Sequence, residues 1–130
     1  MQIKIAHFLY IDQTSEKGRG VFTRVDLPPM KIVERSSVLV MSADERKLLD
    51  QTELHNYIFE WGTEVEQCCV AWGFISLYNH NYEANCEYFM DFEENTITIK
   101  TTRAIGKGEE LTINYNGDWD NKKRIWFDAK

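Results

Sequence analysis

Apolar and polar residues alternate over short stretches along most of this chain, and the dominant period is two. Ile3, Ile5, Phe8 and Tyr10 stand among polar neighbours, and Val21 and Phe22 follow a glycine-rich turn. Asp26-Leu27-Pro28-Pro29 reads as a second turn, and Val33 to Met41 is rich in β-branched residues. These stretches fit strands, because β-branched side chains pack well on a pleated surface. Thr96-Ile97-Thr98-Ile99 is the cleanest alternation,. It predicts a pair of strands, Cys86 to Phe92 and Asn95 to Thr102, turning at Glu93-Glu94. Leu111, Ile113 and Tyr115 repeat the period after the turn Gly106-Lys107-Gly108. Tyr57 to Trp61 and Gln67 to Trp72 read as further extended segments. Tyr57, Phe59 and Trp61 form a stripe that the alternation points at the core. Helical signals are sparse. Ser42-Ala43-Asp44-Glu45 has capping-box spacing, which starts a short helix through Arg46 to Asp50,. Gly73 to Asn79 fits a helical turn, and Asp120 to Phe127 a short C-terminal helix. The pattern predicts a β-rich α+β domain with a small helical insert at about 42–66.

Length and composition narrow this picture. A chain of 130 residues fits a single domain, 1–130, large enough to bury a core without staples,. The 43% hydrophobic content excludes a disordered chain,. Lys4, His7 and Asp12 interrupt the opening stretch, so neither a secretory leader nor a membrane span is expected,. Cys68, Cys69 and Cys86 are odd in number and contain no Cys-x-x-Cys pair, which argues against a disulfide framework or a zinc site,. The expected setting is intracellular, cytoplasmic by default. The net charge of −6 disfavours direct binding to nucleic acid and suits a basic peptide partner,.

Three segments carry candidate chemistry. Lys17-Gly18-Arg19-Gly20-Val21-Phe22 places two glycines where backbone can approach a ligand,. It lacks the third glycine and following helix of a dinucleotide fingerprint, and by itself is also a plain hairpin turn. Leu77-Tyr78-Asn79-His80-Asn81-Tyr82-Glu83-Ala84-Asn85 is a polar segment between apolar elements; a structural loop with a satisfied histidine is the alternative,. Gly108-Glu109-Glu110-Leu111 leads into Tyr115, a strand-end tyrosine before a turn,.

In this order and at these spacings, the three segments resemble the SET-domain family of protein-lysine methyltransferases. The resemblance spans about residues 16–117. Asn81 and Ala84 stand where the family usually has a serine and a proline, and the flanking cysteine-rich zinc segments of many members are absent. The family likeness implies small curved β-sheets around a knot-like crossing that brings the Asn-His segment beside the tyrosine. It implies S-adenosylmethionine as methyl donor and a lysine-containing basic protein such as a histone as substrate; the missing cysteine segments lead to the expectation that no metal is needed. It adds a homodimer as one arrangement that completes the sites of small members; the hydropathy and charge patterns already argue against a membrane or a direct nucleic acid partner. A histone substrate would move the expected location to the nucleus or chromatin. By the same likeness Tyr115 and Tyr88 are the catalytic candidates. Lys17, Gly18, Arg19, Gly20, Asn79, His80, Tyr115 and Trp119 are the cofactor candidates, with Trp119 in an aromatic lid at about 117–130. Tyr88, Ile113 and Tyr57 are the candidates for the lysine channel. Ile113 supplies no hydroxyl two residues before Tyr115, which favours di- or trimethylation. The rival reading is a SET-like binding module that has lost catalysis.

Overall fold

The computed structural model describes residues 2–62 and 66–115. Ten short strands and one helix make up the described chain. The strands are β1 (Lys4–Ile5), β2 (Leu9–Gln13), β3 (Arg19–Thr23), β4 (Ile32–Met41), β5 (Phe59–Trp61), β6 (Gln67–Ala71), β7 (Asn79–His80), β8 (Cys86–Asp91), β9 (Thr96–Thr101) and β10 (Glu110–Ile113). The helix α1 (Ala43–Leu49) lies between β4 and β5, and 3-10 turns occupy Glu53–Asn56 and Ile75–Leu77.

Two sheets form. The larger has the order β5-β6-β4-β9-β8, with β1 added to the first half of β4. The smaller has the order β2-β3-β10-β7. The ten-residue β4 organises the larger sheet, because its two halves pair with different neighbours. Glu34 and Arg35 face β1 on one side and β9 on the other, while Val38 to Met41 pair with β6. A register irregularity between Ile32 and Glu34 turns both Val33 and Glu34 inward. An extra residue in one strand has this effect, since it resets the alternation of faces. From Glu34 onward the inward set is Glu34, Ser36 and Val38.

The core lies between the sheets. Ile97, Ile99, Leu111, Ile113 and Val21 are completely buried. Each such side chain contributes about 1.5–3 kcal/mol of transfer free energy. The predicted pairing of the 86–92 and 95–102 segments is present as β8 and β9, in register from Cys86 opposite Thr101 to Asp91 opposite Thr96. The predicted helix is present too. Ser42 caps it, accepting from Glu45 N–H at 3.1 Å and donating its own N–H to Glu45 at 3.0 Å. Such a cap contributes about 1 kcal/mol, and it matters here because α1 buries none of its residues.

The stripe at Tyr57, Phe59 and Trp61 is corrected. Phe59 and Trp61 are buried on β5, but Tyr57 precedes the strand and is exposed. Its backbone ends a 3-10 turn, so the period of two does not reach it. Likewise Trp72 falls one residue beyond β6 and is exposed. The expected C-terminal helix at 120–127 lies outside the described residues.

The feature that sets up the site is the pairing of β10. It runs antiparallel to β3, with Leu111 opposite Val21, and parallel to β7, with Thr112 opposite Asn79 and Ile113 opposite His80. Asn85, 2% exposed, fixes this arrangement. Its side chain accepts from Thr112 N–H at 2.8 Å and donates to the Glu110 carbonyl at 2.8 Å. The segment leaving β10 is thereby held alongside the Asn-His segment.

Candidate active site

The hairpin between β2 and β3 supplies one wall of the site. Thr14 closes the turn: its N–H and hydroxyl both donate to the Gly18 carbonyl, at 2.7 Å and 2.8 Å. Its hydroxyl also accepts from Lys17 N–H at 2.8 Å. Gly18 has φ of +74°, a left-handed conformation that a side chain resists,. The turn sends Lys17 across to β7, where its ammonium donates to the His80 carbonyl at 2.5 Å.

The β7 segment forms the second wall. The Asn79 amide nitrogen donates to the Arg19 carbonyl at 3.0 Å and to Glu110 Oε2 at 2.7 Å. Both donor positions of that amide are taken, so its oxygen is left as acceptor. Gly20 lies directly beneath. A Cβ there would meet Glu110 Oε2 at 2.4 Å and Asn79 Nδ2 at 2.9 Å. His80 is buried, and its Nδ1 accepts from Tyr115 N–H at 3.0 Å. The proton of the neutral ring therefore sits on Nε2, which has no hydrogen-bond partner among the described residues,. Burial, assisted by the Lys17 ammonium, lowers the His80 pKa to about 4,. The ring is neutral at physiological pH.

Tyr115 joins the two walls. Its hydroxyl donates to the Tyr78 carbonyl at 2.7 Å, and its ring lies 5.1 Å from that of His80. Burial raises its pKa, with Tyr57, Glu110 and Tyr88 adding to the effect. The phenol stays protonated and is a poor general base. Tyr88, on β8, directs its hydroxyl at the Tyr115 carbonyl from 3.4 Å.

A cavity of about 660 Å³ opens between these walls. Lys17, Gly18, Arg19, Tyr57, Asn79 and Tyr115 line it. Six residues singled out from the sequence thus meet around one space. Gly20 and His80 stand behind its walls, and Tyr88 beside Tyr115. Ile113 is completely buried in β10 and belongs to the core. Trp119 and the 117–130 segment lie outside the described residues. Leu77, at the head of the Asn-His segment, also lines the cavity; sequence reasoning passed over Gln13, Asn56 and Ser76, which line it too. They come from three separate elements and share no local pattern. Glu110 was quoted only as part of the Gly108–Leu111 motif; its pairing with Asn79 has no local signal.

The chemistry of this donor set suits a charged, amphipathic ligand. Two cations, an amide oxygen and two aromatic faces surround the cavity. Among the described residues no group of three or more His, Cys, Asp or Glu could hold a metal ion. No helix among them is long and apolar enough to cross a membrane.

The SET domain family model matches residues 18–116, which is most of the chain and all three motifs. This chain belongs to the SET-domain family. A Schizosaccharomyces pombe histone-lysine N-methyltransferase specific for H3 lysine-37 is 36% identical over 121 residues, which cover 92% of this chain and 77% of that protein. With that relative, the SET domain here is a protein-lysine methyltransferase. The fold agrees with a crystal structure of a candidate histone methyltransferase from Plasmodium falciparum. That structure superposes with a TM-score of 0.65 at 23% identity, over 92% of this chain and 98% of the other. SET methyltransferases as a family draw the methyl group from S-adenosylmethionine.

Proposed function

We propose that this SET domain methylates a lysine in a basic protein of the histone type, using S-adenosylmethionine held in the 660 Å³ cavity. The observation that carries the reading is the parallel pairing of β7 with β10, which brings Asn79, His80 and Tyr115 against the Lys17–Arg19 turn. The relative's specificity for a histone H3 lysine and the net charge of −6 support a basic substrate,. A histone substrate places the work of the protein at chromatin.

The residues present fit the cofactor. Lys17 and Arg19 offer cations to a carboxylate, and the Asn79 oxygen is free to accept from an ammonium. Tyr57 and Tyr115 offer aromatic faces to a sulfonium or a methylated amine. When bound, S-adenosylmethionine supplies an electrophilic methyl carbon. The protein's task is to deliver a neutral amine in line with it. Free lysine has a pKa of about 10.4, so the substrate ammonium must lose its proton, and desolvation between aromatic walls favours that loss. The proton leaves to solvent rather than to Tyr115, whose phenol is already protonated. The Tyr115 hydroxyl then orients the amine and stabilises charge where the methyl moves, a preorganised electrostatic role.

Tyr115→Phe tests this assignment. It should lower kcat by about a hundredfold while cofactor affinity stays within a few fold, because the lost hydroxyl acts in the transition state. Mass spectrometry of a histone H3 peptide gives the rate, and calorimetry in a chelator-containing buffer gives the affinity. Normal turnover by the folded variant removes Tyr115 from the role. Loss of cofactor binding on chelation overturns the metal-free site.

A further inference from the structure

Behind Tyr115 lies a second layer of hydrogen bonds that no motif announces. The carbonyl receiving the Tyr115 hydroxyl belongs to Tyr78, whose own side chain is completely buried. At the far end of that side chain, the Tyr78 hydroxyl donates to Glu34 Oε1 at 2.9 Å. Glu34 Oε2 accepts from the Ser36 hydroxyl at 2.7 Å and from Phe74 N–H at 2.8 Å. Three donors from β4, the Gly73–Phe74 turn and the Asn-His segment converge on one carboxyl group that is 1% exposed.

This cradle is costly to build. A buried carboxylate is stabilised only when its lone pairs are filled, and an apolar replacement is often as stable or more so. Burial raises the Glu34 pKa, and the three hydrogen bonds oppose that rise. Gly73 adapts to the same group. It adopts φ of +65°, and a Cβ there would lie 2.4 Å from Glu34 Oε2 and 2.4 Å from Ser36 Oγ. The backbone has been drawn onto the carboxylate where a side chain would collide. Fold stability alone is a weak reason for such an arrangement, whereas alignment of the Tyr78 peptide is a specific one.

We propose that Glu34 and Tyr78 are positioning residues for lysine methylation, anchoring the Tyr78 carbonyl so that it aims the Tyr115 hydroxyl at the reacting centre. The inference rests on the reading that this hydroxyl acts in transfer. Tyr78 is extended at φ −68°, ψ 121°, between the Ile75–Leu77 turn and β7. Its ring is pinned at one end by Glu34 while its carbonyl meets Tyr115 at the other. Releasing the hydroxyl anchor lets the ring settle elsewhere in its pocket and tilts the peptide. Small misplacements of a reacting geometry cost large factors in rate.

Tyr78→Phe removes the anchor and keeps the ring; Glu34→Gln keeps the size and changes the acceptor. Each should lower kcat by about tenfold, with the cofactor Kd within twofold. Ile105→Val, a core substitution at the bridge to Leu27, touches none of the cradle residues, controls for lost stability and should leave kcat unchanged. The deciding measurement repeats both variants in a Tyr115→Phe background, using single-turnover mass spectrometry on one peptide. With no hydroxyl left to aim, neither should lower the rate further. A kcat for folded Tyr78→Phe equal to wild type, or an undiminished tenfold loss in the Tyr115→Phe background, overturns the proposal. If Tyr78→Phe does not fold, Glu34→Gln alone decides by the same two criteria. Failure of Tyr115→Phe to lower kcat defeats instead the reading of Tyr115 itself.

Discussion

Asn85→Ala should be among the most damaging single changes in this domain, and its cost can be worked from its contacts. The side chain accepts from Thr112 N–H and donates to the Glu110 carbonyl, both at 2.8 Å, with a longer bond to Glu109 Oε2 at 3.3 Å. Asn85 is 2% exposed, and Thr112, in the middle of β10, is 7% exposed. Water cannot replace the lost amide without parting the Asn85 segment from β10. Two backbone groups left unpaired cost about 1–3 kcal/mol each, so the expected loss is about 2–6 kcal/mol. For a domain of this size that lowers Tm by on the order of 10–20 °C. Asn85→Asp separates the two halves of the effect. It keeps an acceptor for Thr112 N–H but removes the donor and sets a negative charge against the Glu110 carbonyl and Glu109. At neutral pH it should be no better than alanine, and it should recover part of the loss as the new carboxyl is protonated. Urea denaturation followed by tryptophan fluorescence, at pH 7 and pH 5, measures both. A loss below about 1 kcal/mol for Asn85→Ala would show that β7 and β10 are held by something else. Because β10 leads into Tyr115, cofactor affinity should fall together with stability.

Two further expectations concern pH and product. The His80 ring should titrate near pH 4 in the folded protein, against about 6.5 when unfolded, and NMR of its ring protons reads this directly. Between those values the unfolded chain binds a proton that the folded one does not, so His80 removes up to about 3 kcal/mol of stability as pH falls through the window; a folded-state midpoint at 6 or above refutes the assignment. On product degree, Ile113 offers no hydroxyl and Tyr88 points its own at the Tyr115 carbonyl, so the wild type should proceed past monomethyl-lysine and Tyr88→Phe should change the product ratio little. A wild-type reaction that stalls at monomethyl-lysine with excess cofactor counts against this.

Periodicity alone was enough for the strands that lie wholly on one face of a sheet. The β8–β9 hairpin and the capped helix α1 are local objects, set by alternation and by side chains three residues apart, and they formed as read. The three motifs were also legible, because each is a short run whose residue types are constrained by close backbone approach or by a buried polar role. What local pattern could not supply was their meeting. Asn79 and Tyr115 are joined by a parallel pairing of β7 with β10, a long-range contact that no alternation encodes. Tyr57 illustrates the same limit: its spacing places it with Phe59 and Trp61, yet a 3-10 turn rotates it out of the core and into the cavity wall. Glu34 is the clearest case. In sequence it opens the polar run Glu34-Arg35-Ser36-Ser37, which ordinarily marks a solvent face. An irregular register in β4 turns it inward, and only there do Ser36, Phe74 and Tyr78 converge on it. The one-dimensional pattern fixes which residues prefer to be buried or extended. Which buried polar groups find one another depends on strand order and register, and those are set by the summed packing of the whole core.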